Sequence, residues 1–397
     1  MLSKLPSFYS VNFFTLCLSS FLFFASFNMI IPELPSYLSS LGGEDYKGLI
    51  ISLFTLTAGL SRPLSGKLAD KIGRIPVMIF GAVICFLVSL LYPLITSVAG
   101  FLLLRFVHGF STGFTPTGTS AFVADIIPFN KRGEAMGIQS LFGSLGMAAG
   151  PALGGYIAAE WGINPLFYAS AFTAILSIVI LLRLKETLEV REKLSIEHFK
   201  LNRHEIIEKR VLTPSLVLFL TVFSFGIVLT IIPDYSEYLG IKNKGLFFAV
   251  FTLASLGIRI IAGKASDKYG RIPVMKAATL SMAISMLIIA LAETKGMLLF
   301  GGVIFGASVG MNSPTISAWT IDLSLDKFRG RALATMYIAL EAGIGIGALA
   351  SGFVFNNNPE NFFLVFSLGT ITSFLAFIYL FTLRKQQITS LKATEDL

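Results

Sequence analysis

In the segment Gly66 to Arg74, Asp70, Gly73 and Arg74 follow Gly66 at the same spacing as Asp267, Gly270 and Arg271 follow Gly263, and Asp125 recurs as Asp322. A carboxylate four residues before an arginine, next to a glycine that permits a tight turn, can form an ion pair made in one arrangement of helices and undone in another. Other ionisable groups stand alone in apolar surroundings. Arg105, His108 and Glu341 interrupt long hydrophobic stretches, and Glu33 lies between Pro32 and Pro35. An acid or base held among apolar side chains is costly, so such groups point to proton binding or solute recognition. His108 adds the one side chain type that ordinarily titrates near neutral pH. Catalysis finds no support, because no nucleophile has a base at a workable spacing and no phosphate-cradling loop is present. Cys17 and Cys85 have no partner at metal-ligand spacing and are expected to be small packing residues, so no metal and no cofactor are expected.

The elements that position these groups must be membrane helices. The chain has 397 residues, 54% of them hydrophobic and 14% charged, which excludes an ordinary soluble domain. A helix crossing the hydrocarbon core needs about 20 apolar residues, and Val11 to Ile31 carries no charge over such a length. Comparable stretches recur to Leu383, and the expected fold is an all-α membrane protein of twelve transmembrane helices. Counted from Ala332 at one end of the eleventh span, Glu341 is about nine residues in, roughly 14 Å deep. Tyr337 and Gly345 share its helix face.

The halves repeat. Phe54 to Met78 and Phe251 to Met275 are identical at 14 of 25 positions, and Gly146, Gly150 and Gly155 reappear as Gly343, Gly347 and Gly352. The chain therefore reads as two parallel-repeat six-helix bundles, 1-182 and 211-385, joined by a charged linker, 183-210, and followed by a tail, 386-397. Lysines and arginines crowd the linker, the tail and the loops at Arg74, Lys131, Arg271 and Arg329. The opposite loops hold only Lys47, Lys242, Lys244 and Lys295. The positive-inside rule then places both termini in the cytoplasm. The net charge of +8 suits anionic lipid headgroups and calls for no nucleic acid.

The loop Gly66 to Arg74 resembles the signature loop of the major facilitator superfamily, and Gly263 to Arg271 nearly repeats it. The resemblance implies that Asp70, Arg74 and Asp125, with Asp267, Arg271 and Asp322, latch the cytoplasmic side, and that Gly66 and Gly73 permit close helix approach and the turn. Gly146, Gly150, Pro151, Gly154 and Gly155 resemble the fifth-helix motif of antiporters in that superfamily. Arg105, followed by Gly109 and Gly113, is similar to the intramembrane arginine motif of its drug:proton antiporters, with His108 where the pattern has a glutamine. Glu33 falls in a run similar to their proline motif, although a solvated helix end explains it equally well.

These resemblances imply a secondary active transporter that exports a small organic, drug-like solute by proton-coupled antiport and alternating access. Glu341, Arg105, Glu33 and His108 are the candidates for proton coupling or substrate contact. The expected partners are a small-molecule substrate, protons and membrane lipids, and the expected setting is the cell inner membrane, with the chain working as a monomer. A metabolite, sugar or metallophore exporter of the same fold is the alternative. A non-transporting membrane receptor is the alternative from another class.

Overall fold

The computed structural model describes residues 10–128, 132–188, 191–193, 195, 198, 207–325 and 329–383. Expectations for the tail 386–397, for the loop at Lys131 and for much of the linker lie outside them. Among the described residues all regular structure is helical: α1 (Val11–Ile30), α2 (Leu34–Ser40), α3 (Lys47–Lys71), α4 (Arg74–Leu91), α5 (Val98–Ile126), α6 (Arg132–Trp161), α7 (Ile163–Leu181), α8 (Leu212–Tyr238), α9 (Leu246–Tyr269), α10 (Arg271–Ala290), α11 (Lys295–Leu323), α12 (Arg329–Phe355) and α13 (Phe362–Thr382). Helices satisfy their own backbone groups, which hydrocarbon demands. Among the described residues eleven segments are long and apolar enough to cross a bilayer. A twelfth is α9 if its bend of 43°, between Leu246–Arg259 and Ile261–Tyr269, lies within one span.

Local sequence sets the breaks. Pro32 and Pro35 lack N–H groups, and a 3-10 turn at Ile31–Glu33 separates α1 from α2 within one span, Val11–Ser40. Ser97 caps α5 by accepting from the Gly100 amide, and Thr294 does the same for α11 through the Met297 amide. Gly73 and Gly270 adopt φ values of 134° and 93° in the two signature loops, a region that L side chains rarely enter.

Two compact units emerge, Met1–Leu201 with Lys242–Thr252, and Asn202–Ile241 with Leu253–Leu397. In the first, α1 packs on α6 and α7, and α5 on α3 and α4; in the second, α8 packs on α12 and α13, and α10 on α11 and α13. Glycines make the α1–α6 and α8–α12 contacts possible. A Cβ at Gly146, Gly150 or Gly154 would strike backbone atoms of Phe21, Ala25 or Met29, and one at Gly343 or Gly347 would strike those of Phe219 or Phe223. Gly66 behaves differently from expectation. A Cβ there meets nothing within 4 Å, so this glycine does not serve close helix approach in this structure.

That contrast is testable. Gly150→Val forces α6 off the α1 backbone and should lower unfolding stability by about 1–3 kcal/mol, the usual range for overpacking. Gly66→Ala should leave the melting temperature in detergent unchanged or slightly raised, since alanine is the better helix former. Equal losses for both variants would contradict the packing described.

Candidate functional site

Each signature loop closes a charge cluster within its own unit. Arg74 at the start of α4 bonds Asp70 Oδ1 through Nη1 at 2.7 Å and Asp125 Oδ2, at the end of α5, through Nε at 3.0 Å. Arg271 repeats this with Asp267 and Asp322, using the same nitrogens. The arginines also reach neighbouring acceptors, Arg74 the Ala69 carbonyl and Arg271 the Ser266 hydroxyl at 2.8 Å. Asp70 and Asp267 are 71% and 72% exposed, so each pair is worth about 0–1 kcal/mol. Bonds that weak can be broken and remade during a conformational cycle.

Residues beyond α7 complete the first cluster. Glu186 accepts from the Arg74 and Ile75 amides at 3.0 Å each, supplying the cap that Gly73 lacks, and Thr187 donates to Asp125 Oδ2 at 2.6 Å. Glu192 pairs with Lys71 at 2.7 Å and with His198 at 2.8 Å, and these contacts, Lys71 first, hold its carboxyl below the usual carboxylate range. In the second unit Glu208 is buried beside Arg331 Nε at 3.0 Å, and its amide donates to Thr335 Oγ1. Burial alone pushes the Glu208 carboxyl up; hydrogen bonds from Arg331 and the Arg210 amide overcome this and hold it below the ordinary value. These carboxylates were missed in the sequence because nothing in a run of dense, unpatterned charge separates them from their neighbours.

Deeper in the first unit, Arg105 is 1% exposed. Nε donates to the Ile50 carbonyl at 2.9 Å, the guanidinium lies 4.6 Å from the Phe54 ring centroid, and Nη1 stands 3.4 Å from both the Tyr92 hydroxyl and His108 Nδ1. The other His108 nitrogen lies 3.4 Å from Cys85 Sγ, which also meets Ser26 Oγ at 3.3 Å. Cys85 is fully buried, as expected, and in addition lies within hydrogen-bonding range of His108 and Ser26, contacts that no sequence spacing disclosed. Cys17 is buried as expected.

Glu33 is not a freely solvated helix end. Its side chain is 12% exposed, Lys244 Nζ stands 3.9 Å away, and the same ammonium bonds Ser36. Asn243 of the same segment donates to the Ala152 carbonyl, and a Cβ on Gly245 or Gly155 would collide with Pro151 or Asn243. In the second unit Glu341 is buried on α12 while Tyr337, one turn earlier, is 38% exposed. Its repeat counterpart Ser144 is also buried. Glu341 and Arg105 thus belong to different units.

A duplicated set of membrane-crossing helices, each half carrying an arginine–aspartate cluster at its signature loop and glycine-packed helix pairs, defines a multi-pass membrane transporter. The sequence profile described as Major Facilitator Superfamily matches residues 16–257 and again 214–396, and the chain belongs to that family. It is 30% identical over 272 residues to Multidrug resistance protein 2 of Bacillus subtilis (strain 168), covering 65% of this chain and 67% of that protein. It is 29% identical over 346 residues to Multidrug resistance protein MdtG of Rahnella sp. (strain Y9602), covering 81% and 82%. Among solved structures, the D-xylose-proton symporter superposes with a TM-score of 0.78 at 16% identity, covering 93% of this chain and 96% of that one. The human organic anion transporter MFSD10 (TETRAN) gives 0.73 at 20% identity, covering 95% and 100%. At such identities these two structures establish shared fold alone. Membership in a family of transporters accords with a role in moving a small molecule rather than transforming it.

Proposed function

We propose that this protein exports a small organic, drug-like solute in exchange for protons, by alternating access across the cell inner membrane, with both termini cytoplasmic. The observation that carries this reading is the arginine–aspartate cluster built twice from the same atoms, Arg74 with Asp70 and Asp125 and Arg271 with Asp267 and Asp322. A duplicated set of weak, exposed ion pairs suits a latch that opens once per cycle. Relatives named for multidrug resistance support the cargo class, and buried Glu341 supports the coupling role. In this reading 1-182 and 211-385 are the moving bundles, 183-210 is their cytoplasmic linker, and the protein acts as a monomer in contact with lipid.

Accumulation of a panel of amphipathic drugs in cells with and without the protein tests the reading. Expression should lower steady-state accumulation of some members, and an uncoupler should abolish the difference. Equal accumulation across the panel, or a difference that survives the uncoupler, would contradict proton-driven export.

A further inference from the structure

Unfilled hydrogen-bonding atoms cluster on one face of α11 in the second unit. Asn312 is 5% exposed and donates from Nδ2 to Thr221 Oγ1 on α8 at 2.7 Å. Thr221 spends its own proton on the carbonyls of Val217 and Leu218, at 3.0 and 2.9 Å, so its oxygen can only accept from Asn312. That fixes the amide: the nitrogen faces Thr221, and Oδ1 is the group left over. Oδ1 is buried without a hydrogen-bond partner among the described residues, and so is Thr315 Oγ1, three residues further on the same helix face. Pro314 lacks the N–H that the Gly310 carbonyl would otherwise receive, which adds a third acceptor beside them.

A buried acceptor with no donor costs more than an ordinary hydrogen bond contributes. The first unit makes no such sacrifice. At the position equivalent to Asn312 it has Thr115, which donates to the Met78 carbonyl at 3.0 Å, and at the position of Thr315 it has Gly118, packed against Met78. Among the described residues the unpaired side-chain atoms therefore belong to the second repeat alone, although α5 has its own in-helix proline, Pro116, one position earlier in register. Position along the helix matters. Asn312 lies eleven residues from the Leu323 end of α11, about 17 Å, and Glu341 lies twelve residues from the Arg329 end of α12, about 18 Å. The second unit thus offers an oriented acceptor and a carboxylate at similar distances along α11 and α12 from their facing ends, Leu323 and Arg329.

We propose that Asn312, held by Thr221, is a specificity-determining residue that accepts a hydrogen bond from an N–H of a cationic amine cargo, so that ammonium solutes are favoured over fully alkylated ones. This rests on the export of a small organic solute and names the chemistry of that cargo. Thr221 acts as a positioning residue. Asn312 with Thr315 would seat the N–H group, and Glu341 would balance its charge.

The probes are 4-phenylbutylammonium and its N,N,N-trimethyl analogue, which carry the same charge but differ in having N–H donors, titrated into the full-length protein in nanodiscs. Asn312→Leu should weaken ammonium binding and leave the trimethyl cation unaffected, so that the ratio of the two affinities falls by about tenfold or more, as expected for a hydrogen bond to a charged group. Thr221→Val, which frees the amide to turn, should lower the ratio in the same direction by a smaller factor. It also serves if Asn312→Leu fails to fold. An unchanged ratio in the variants would overturn the inference, because the acceptor would then be satisfied by solvent or by another conformation. If wild-type protein binds neither cation while a neutral or anionic drug is still exported, the amine class falls and the export reading stands. If no drug is exported either, the export reading itself falls.

Discussion

Asp70→Asn should cut the initial rate of transport by up to about 5-fold, the factor that about 1 kcal/mol of lost ion pairing corresponds to, while the protein still inserts and melts near the wild-type temperature. The two halves of that result have separate causes. Asp70 is 71% exposed, so losing its pairing with Arg74 removes about 1 kcal/mol at most from folding. In the proposed latch the effect depends instead on charge: asparagine keeps the shape of the side chain but leaves the guanidinium at Nη1 without an ionic partner in the one state that would need it. Arg74 would retain Asp125 at 3.0 Å, which limits the damage to the Asp70 arm. Asp267→Asn should be milder. Leu68 of the first loop is buried against Ala69, Val77 and Phe114, whereas its counterpart Ala265 contributes a smaller, half-buried side chain. Initial-rate measurements in vesicles with protein quantified by blot would decide the matter. Normal transport by Asp70→Asn would dismiss the latch.

The sequence disclosed those features that repeat or obey a period. Apolar stretches of helical length showed the spans, and identical spacing in two halves showed which charges form clusters, because Arg74 and Arg271 cannot share geometry by accident of composition. It also disclosed that Arg105 needs a buried partner, since a charge in hydrocarbon demands one. Its partners were not legible. Ile50 contributes a backbone carbonyl and Tyr92 lies on a neighbouring element, so no local spacing relates them to Arg105. Glu33 looked solvated because it sits near a helix end, yet Lys244, more than two hundred residues later, reaches it. Gly66 was read as a close-packing residue from its type and motif, but a glycine conserves space only where a neighbour occupies it, and none does here. Asn312 escaped notice for the converse reason: an amide in a helix is ordinary until its oxygen is found without a donor.

In the proposed function a buried carboxylate couples solute export to proton entry, and Glu341 is the candidate for that role. Glu341 is 8% exposed on α12, and the first repeat has a serine in its place, so the acid is not demanded by the shared scaffold. A coupling carboxylate must take up a proton from one side and release it to the other, whereas a structural acid need only keep its hydrogen bonds. Glutamine separates the two, because it preserves size and polarity and cannot ionise. The decisive measurement is accumulation of a transported drug by proteoliposomes under an imposed pH difference, compared with exchange of the same drug at equal pH. Wild-type protein should do both. Glu341→Gln should still exchange drug across the membrane but should not concentrate it, and its drug distribution should be indifferent to the pH difference. Full pH-driven accumulation by Glu341→Gln would contradict this assignment and move the coupling role to Glu33 or Asp125.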